Sequence, residues 1–203
     1  MRSHKVLRPP IERVTVTHTI GYIVGSISST SINRRLAKAL ERLAPAGVEL
    51  VEIPIADLPF YSPDHDADYP QVARDFKDAI AKVDGVIIVT PEYSRSIPGV
   101  LKNALDWAAR PWGQASFDEK PTAVIGTSGG GIATAAAQQH LKAILSHYNA
   151  ITLGQPEGYV QSTPGLFTDE GEVTNESTAA FLVSYLTAFD TLITRVEAGR
   201  AAA

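Results

Sequence analysis

The sequence contains no cysteine, one methionine and two tryptophans among its 203 residues. The absence of cysteine excludes disulfide bonds, thiolate metal centres, iron–sulfur clusters and a cysteine nucleophile. No segment approaches the roughly 20 apolar residues of a membrane span, so no membrane partner is expected. Positive charge is not in excess either. The formal net charge of -4 does not favour a surface that binds nucleic acid.

The remaining composition is that of a soluble globular protein. Hydrophobic residues make up 44% of the chain, which is enough for a full core, and the length fits one α/β domain. We expect residues 1–18 to be a flexible N-terminal extension rather than a secretory signal, because they lack an apolar stretch. Residues 19–197 are the expected domain and 198–203 a C-terminal tail. The expected location is the cytoplasm.

Short apolar runs alternate with helical patterns along the chain. Runs at 19–24, 48–53, 85–90 and 121–126 are typical of strands, and a last strand is expected at 151–153 or 158–160. Apolar residues at helical spacing separate these runs, and Thr174 or Asn175 is the expected cap of a last helix. The alternation predicts an α/β fold with a doubly wound, five-stranded parallel sheet between two layers of helices.

Three loops follow strands of this predicted sheet, at residues 25–31 (the first loop), 91–98 (the second loop) and 127–131 (the third loop). Ligands bind beyond the carboxyl ends of such strands. The first loop is rich in hydroxyl groups and precedes a helix, whose free backbone N–H groups suit a phosphate. The alternative is that Thr30 or Ser31 only caps the helix. A dinucleotide-binding G-x-G-x-x-G pattern and a P-loop are both absent here.

The second loop has two prolines and an aromatic residue, Tyr93. A fixed loop with a flat aromatic face suits a planar ring such as isoalloxazine, and the alternative is a turn with a buried tyrosine. The third loop matches G-x-S-x-G, the serine-nucleophile motif of α/β-hydrolases. No acid lies between Ser128 and the last histidine, His147. We therefore expect this loop to bring backbone N–H groups to a ligand.

Two smaller features have simpler interpretations. Asp64, His65, Asp66 and Asp68 are expected to form a solvated acidic loop rather than a metal site. His140 is expected to be a helix-surface or interface residue rather than a base. No metal site is predicted.

Three motifs, taken in order, resemble the NADPH-dependent FMN reductase family, which includes bacterial chromate, quinone and azo-dye reductases. The motifs are Gly25–Arg34, Thr90–Trp107 and Gly126–Gly130. The resemblance extends from about residue 19 to about residue 197. It implies a flavodoxin-like fold with strand order 2-1-3-4-5, FMN as cofactor, and a homodimer or a dimer of dimers.

The resemblance also implies where FMN is bound. The phosphate would lie against the first loop, the ring along the second, and the flavin edge near the third. The implied cofactor-binding residues are Ser26, Ser28, Ser31, Ile32 and Asn33 in the first motif, Pro91, Glu92, Tyr93 and Ser94 in the second, and Ser128 and Gly129 in the third.

The sequence departs from the family pattern at two of these positions. Many members have arginine where Ser28 stands and asparagine where Ser94 stands. A charge-assisted hydrogen bond is typically worth about 1.5–3 kcal/mol, so we expect weaker FMN binding here unless Arg34 or Arg35 supplies the charge.

The resemblance implies an enzyme that transfers hydride from NADPH or NADH to the flavin N5 and then electrons to a small-molecule acceptor. Quinones, azo dyes, free flavin and metal oxyanions are the candidate acceptors. The flavin supplies the chemistry, so no catalytic side chain is required. Arg95 is the candidate for recognition of the NADPH phosphate. The alternatives are a redox-inactive flavin-binding or interaction protein, and a serine hydrolase that uses Ser128.

Overall fold

The computed structural model describes residues 17–202. Nearly all of the predicted N-terminal extension, residues 1–16, and the last residue of the chain lie outside the described residues. The first strand begins at His18. At the other end, the last helix continues to Ala201, so most of the predicted tail is helical.

The described residues form six strands and five α-helices, which alternate except where the fifth and sixth strands follow each other. A short 3-10 helix, Pro63–His65, interrupts the long connection before the second α-helix. In chain order the elements are β1 (His18–Val24), α1 (Ile32–Arg42), β2 (Val48–Glu52), α2 (Gln71–Ala81), β3 (Gly85–Val89), α3 (Gly99–Ala109), β4 (Pro121–Ser128), α4 (Ala135–His147), β5 (Ile151–Thr152), β6 (Gly158–Gln161) and α5 (Glu176–Ala201).

All pairings in the sheet are parallel, and the order β2-β1-β3-β4-β5 confirms the predicted topology. β6 is an additional strand on the same side of β4 as β5. β5 pairs with Pro121 and Thr122 at the start of β4, whereas β6 pairs with the Ile125–Ser128 end. Both candidate positions for the last strand are therefore strands, because two short segments share one edge.

The central strand β3 is buried along its whole length, as its continuous β-branched sequence predicts. One apolar cluster fills the space between the sheet and α2, α3 and α4. A second cluster lies on the opposite face, under α1 and α5. The helices therefore form two outer layers, and the first, second and third loops follow the carboxyl ends of β1, β3 and β4.

α5 is long and apolar enough, by length and composition alone, to cross a membrane. In the structure it covers the sheet, and Leu182, Leu186, Phe189 and Ile193 on its inner face are buried. An apolar face of this kind is typical of a helix that packs on a sheet. Asn175 caps the helix by accepting a hydrogen bond from the Thr178 N–H, as predicted.

The structure differs from the prediction around the third loop. β4 extends to Ser128, so Thr127 and Ser128 belong to the strand. α4 begins at Ala135 rather than near Ile132. Ala133 has a φ of 51°, in the left-handed region, which a continuous α-helix does not contain. The glycine-rich segment therefore forms a turn before α4 starts.

Candidate functional site

The N-terminus of α1 has backbone donors that make no hydrogen bond within residues 17–202. Ser31 is the N-cap, and its hydroxyl accepts the N–H of Arg34 at 3.3 Å. The N–H groups of Ile32 and Asn33 have no partner among the described residues. Free N–H groups at the positive end of a helix dipole are a ready site for a phosphate.

The hydroxyl groups of the first loop order the loop itself. Ser26 is buried, and its Oγ accepts the N–H of Ser28 at 3.3 Å. Ser28 Oγ in turn accepts the N–H of Thr30 at 3.3 Å and lies 3.2 Å from the Thr30 hydroxyl. Ser28 and Thr30 are exposed. The loop thus presents ordered, neutral hydroxyl groups beside the head of α1.

The two arginines that follow the loop are engaged elsewhere. Arg34 forms a two-bond contact with the Glu52 carboxylate, at 2.9 and 3.0 Å. Arg35 pairs with Asp169 at 2.7 Å. A phosphate at the first loop would therefore be held mainly by neutral donors and by the helix dipole.

Asn33 joins the first loop to the end of β4. Its side chain is buried; Nδ2 donates to the Thr127 carbonyl at 2.9 Å, and Oδ1 accepts the Thr127 N–H at 2.9 Å. The sequence predicted a phosphate contact for Asn33 and gave no signal for this link. The backbone N–H of Asn33 is the group that this arrangement leaves for a phosphate.

The second loop forms a tight two-residue turn. Tyr93 and Ser96 exchange backbone hydrogen bonds at 2.9 and 3.0 Å. Between them, Ser94 and Arg95 have φ values of 52° and 65°. The Tyr93 side chain is not buried, because 53% of the residue's surface is exposed. The alternative of a turn around a buried tyrosine is therefore wrong, and the aromatic face is available for stacking.

Glu92 is positioned by α4. Its carboxylate accepts the N–H of Ala137 at 3.1 Å and contacts the Arg95 guanidinium at 3.2 Å. Thr134, the N-cap of α4, makes no side-chain capping bond, and the first turn of the helix contains no acid. Glu92 thus supplies the capping carboxylate from another element, a contact typically worth about 0.3–1 kcal/mol. Arg95 is otherwise largely exposed.

Ser128 is engaged within its own turn. Its hydroxyl donates to the Ala133 carbonyl at 2.6 Å and accepts the N–H of Gly130 at 3.2 Å. A serine nucleophile instead requires a hydrogen bond to a base. Within residues 17–202, Ser128 makes no hydrogen bond to a histidine. The geometry therefore does not support the serine hydrolase alternative. Gly129 follows in an exposed part of the turn.

The three loops meet at one edge of the sheet. The Gly25 N–H donates to the Val89 carbonyl at 2.8 Å, and the Thr90 N–H donates to the Ile125 carbonyl at 2.9 Å. At Gly126, a Cβ would lie 2.0 Å from the Thr90 carbonyl oxygen, so only glycine allows β4 to come this close to the second loop. A cavity of about 440 Å³ adjoins the site and includes Ile32 and Gly129 in its lining.

The acidic segment at 64–68 serves the fold. Asp66 pairs with Arg110 and accepts the Tyr61 hydroxyl at 3.1 Å. The hydrogen bond from Arg110 holds the pKa of Asp66 below its ordinary value. No group of three or more metal-ligating side chains occurs in the part of the chain that the structure describes.

A second contact at the site was not predicted. His140 Nδ1 lies 2.6 Å from Ser96 Oγ, so a residue expected on the helix surface reaches the second loop. In the sequence, only the spacing of three residues between Ala137 and His140 indicated that both lie on the same side of α4. His140 also lines a cavity of about 750 Å³ between α3 and α4, together with Lys102, Trp112 and Tyr148.

Comparison with known proteins identifies the family of this chain. The model of the NADPH-dependent FMN reductase family matches residues 18–164. A 2-hydroxy-1,4-benzoquinone reductase from a Burkholderia species is 47% identical over 167 residues, which cover 82% of this chain and 91% of that protein. A quinone reductase from Escherichia coli K12 is 38% identical over 181 residues, covering 86% and 95%.

A solved structure gives the same result. FerB, a flavoenzyme NAD(P)H:(acceptor) oxidoreductase from Paracoccus denitrificans, aligns with a TM-score of 0.83 and 43% identity. The alignment covers 88% of this chain and 98% of FerB. The protein is therefore an oxidoreductase with FMN as cofactor and NAD(P)H as co-substrate. The sequence and the fold both show that the chain belongs to the NADPH-dependent FMN reductase family.

Proposed function

We propose that FMN binds across the three loops, with its phosphate at the head of α1. The observation that carries this placement is the pair of free N–H groups at Ile32 and Asn33. Hydroxyl groups of the first loop complete the phosphate site, the ring lies along the second loop, and the third loop lies at the flavin edge. The residues in these roles are Ser26, Ser28 and Ser31 for the phosphate, Pro91, Glu92, Tyr93 and Ser94 for the ring, and Ser128 and Gly129 for the edge.

Bound FMN would supply the hydride and electron transfer between NAD(P)H and the acceptor, so the side chains would need only to bind, orient and limit access. Tyr93 offers its half-exposed ring for stacking. Glu92 fixes the start of the second loop, because its carboxylate is held by the N-terminus of α4. No side-chain acid or base is assigned to the hydride step.

Arg95 is the proposed contact for the additional phosphate of NADPH. Its guanidinium is exposed next to the ring loop, and its only ion pair within residues 17–202 is with Glu92. The Arg95 side chain is 73% exposed although the Glu92 side chain is only 8% exposed, so the guanidinium can turn toward a phosphate while Glu92 keeps its hydrogen bond from the Ala137 N–H.

A quinone is the proposed acceptor. Relatives that are 47% and 38% identical are named for quinone reduction. An exposed aromatic side chain beside the ring site suits a flat, weakly polar acceptor. Azo dyes, free flavin and metal oxyanions are further acceptors to be compared with it.

The enzyme is proposed to be a cytoplasmic homodimer, or a dimer of dimers. Trp112 is 82% exposed at the rim of the 750 Å³ cavity, and Phe60 is 87% exposed next to Tyr61 in the same cavity wall. Large apolar side chains that protrude together often mark a contact surface. Residues 19–197 remain the proposed cofactor-binding domain.

The absorbance spectrum of the purified protein tests the function. We expect bands of oxidised flavin that NADPH bleaches without oxygen and that a benzoquinone restores. A protein that takes up no added FMN would contradict the cofactor site. A yellow protein that NADPH does not bleach would instead be the redox-inactive flavin-binding alternative.

A further inference from the structure

His140 reaches from α4 to the second loop, where a hydrogen bond of 2.6 Å joins its Nδ1 to Ser96 Oγ. We propose that His140 is a positioning residue that holds the loop in the shape required by the FMN ring. It acts through Ser96 and does not itself have to touch the flavin. This proposal rests on the proposed function of the second loop.

The loop needs support from outside because its turn is unfavourable. Ser94 and Arg95 are consecutive residues in the left-handed region, with φ values of 52° and 65°, and neither is glycine. Side chains with a Cβ are disfavoured in this region, and such turns persist only where their surroundings hold them. Within the loop, two backbone hydrogen bonds between Tyr93 and Ser96 close the turn.

α4 holds this turn at both of its ends. On one side, the Glu92 carboxylate accepts the N–H of Ala137 at 3.1 Å. On the other side, His140 contacts Ser96. Ala137 and His140 are three residues apart and therefore neighbours on one helix. Two anchors on one rigid element fix both the position and the tilt of the segment that carries Tyr93.

The His140 side chain makes no other hydrogen bond among residues 17–202, and the residue is exposed at the cavity wall. It therefore contributes little to the core of the fold. Without it, the segment keeps the Glu92 anchor alone, and Ser94 and Arg95 can relax to ordinary backbone angles. The ring site would then be less well formed before FMN arrives.

The test compares His140→Ala with His147→Ala. His147 lies two turns further along α4, is exposed and lines the same cavity, but makes no hydrogen bond to the second loop within residues 17–202. We expect His140→Ala to weaken FMN binding by about threefold to tenfold, the effect of one hydrogen bond, and His147→Ala to leave it unchanged. The measurement is fluorescence titration of the apoprotein with FMN, with visible circular dichroism of the bound flavin as a second readout.

Two further variants separate positioning from general damage. His140→Asn retains a side-chain hydrogen-bonding group and should recover part of the affinity. Ser96→Ala combined with His140→Ala should weaken FMN binding no more than either change alone, because both remove the same bond. Equal FMN affinities for the His140→Ala and His147→Ala proteins, or additive losses in the double variant, would overturn the proposal.

Hydrogen exchange in the apoprotein makes the test independent of the proposed function. We expect the amides of Tyr93 and Ser96, which close the turn by hydrogen bonds, to exchange faster in His140→Ala than in His147→Ala. If the wild-type protein bound no FMN, the proposed function would fail while this comparison still decided the role of His140. Equal exchange in the two variants would refute the role.

Discussion

The side chain of Asn33 makes the backbone hydrogen bonds to Thr127 that a neighbouring strand would otherwise make. β3 and β4 pair in register up to Val89 and Ile125, so the residue opposite Thr127 would be Pro91. Proline has no backbone N–H to donate. Asn33 instead both donates to and accepts from the Thr127 backbone, with both distances 2.9 Å. The Asn33 amide thus satisfies the β4 backbone at Thr127 and links the first motif to the third loop.

The first prediction concerns this link. Asn33→Ala would leave the buried N–H and carbonyl of Thr127 without these partners, and an unsatisfied buried group typically costs about 1–3 kcal/mol. We expect a lower free energy of unfolding in urea and weaker FMN binding. Ser29→Ala, in an exposed part of the same loop, is the matched control. An Asn33→Ala protein as stable as the Ser29→Ala protein would contradict the link.

The second prediction tests the neutral character of the first loop. Ser28→Arg places a cation where many family members have one, next to the proposed phosphate. We expect FMN affinity to rise by about tenfold, consistent with a charge-assisted hydrogen bond, and the gain to decrease at high salt. Ser29→Arg adds the same charge one residue along the loop. If both variants bind FMN equally, the position of the phosphate is wrong.

The third prediction concerns Arg95. Arg95→Ala should raise the KM for NADPH more than the KM for NADH, because only NADPH carries the additional phosphate. Steady-state kinetics with one quinone acceptor measure both values. Lys102→Ala removes an exposed cation that is paired with Asp106 on α3 and serves as the control. An equal change in both KM values would remove Arg95 from this role.

The fourth prediction is a pH dependence of stability. The ring of His18 donates to Asp190 at 2.6 Å and to Glu197 at 3.1 Å, which fastens β1 to α5. Burial alone would lower the pKa of His18, but the two carboxylates outweigh burial and raise it above its ordinary value. The folded state then binds the proton more tightly than the unfolded state. This stabilisation is fully present below the unfolded pKa of about 6.5 and is lost as pH rises through the folded pKa.

Urea unfolding of the wild type and of His18→Gln from pH 5.5 to pH 8.5, about one unit below to about two units above the unfolded pKa, measures this effect. The wild type should lose stability as pH rises, and His18→Gln should show a flatter dependence. His147→Gln, an exposed histidine on α4, should retain the wild-type slope. Parallel curves for the wild type and His18→Gln would show that the His18 contacts do not contribute.

The sequence predicted those features that depend on local pattern. The buried run of β3, the bounds of α3 and the three ligand loops follow from periodicity, proline and glycine. The sheet order and the cofactor came from the family resemblance. These features were predictable because each is encoded within a short segment or a long motif.

The missed contacts join distant segments. Asn33 and Thr127 are separated by 94 positions, and Ser96 and His140 by 44. Such pairs depend on how a helix rotates when it packs on the sheet, which local pattern does not determine. The longer β4 was missed for a related reason, because the pairing of β6 with Thr127 and Ser128 extends the strand beyond residue 126.

The central claim is that the head of α1 binds the FMN phosphate. Riboflavin has the same ring and lacks the phosphate, so titration of the apoprotein with both flavins isolates this contact. Two charge-assisted hydrogen bonds, worth about 1.5–3 kcal/mol each, predict that FMN binds at least about 100-fold more tightly. Equal dissociation constants for FMN and riboflavin would contradict the claim.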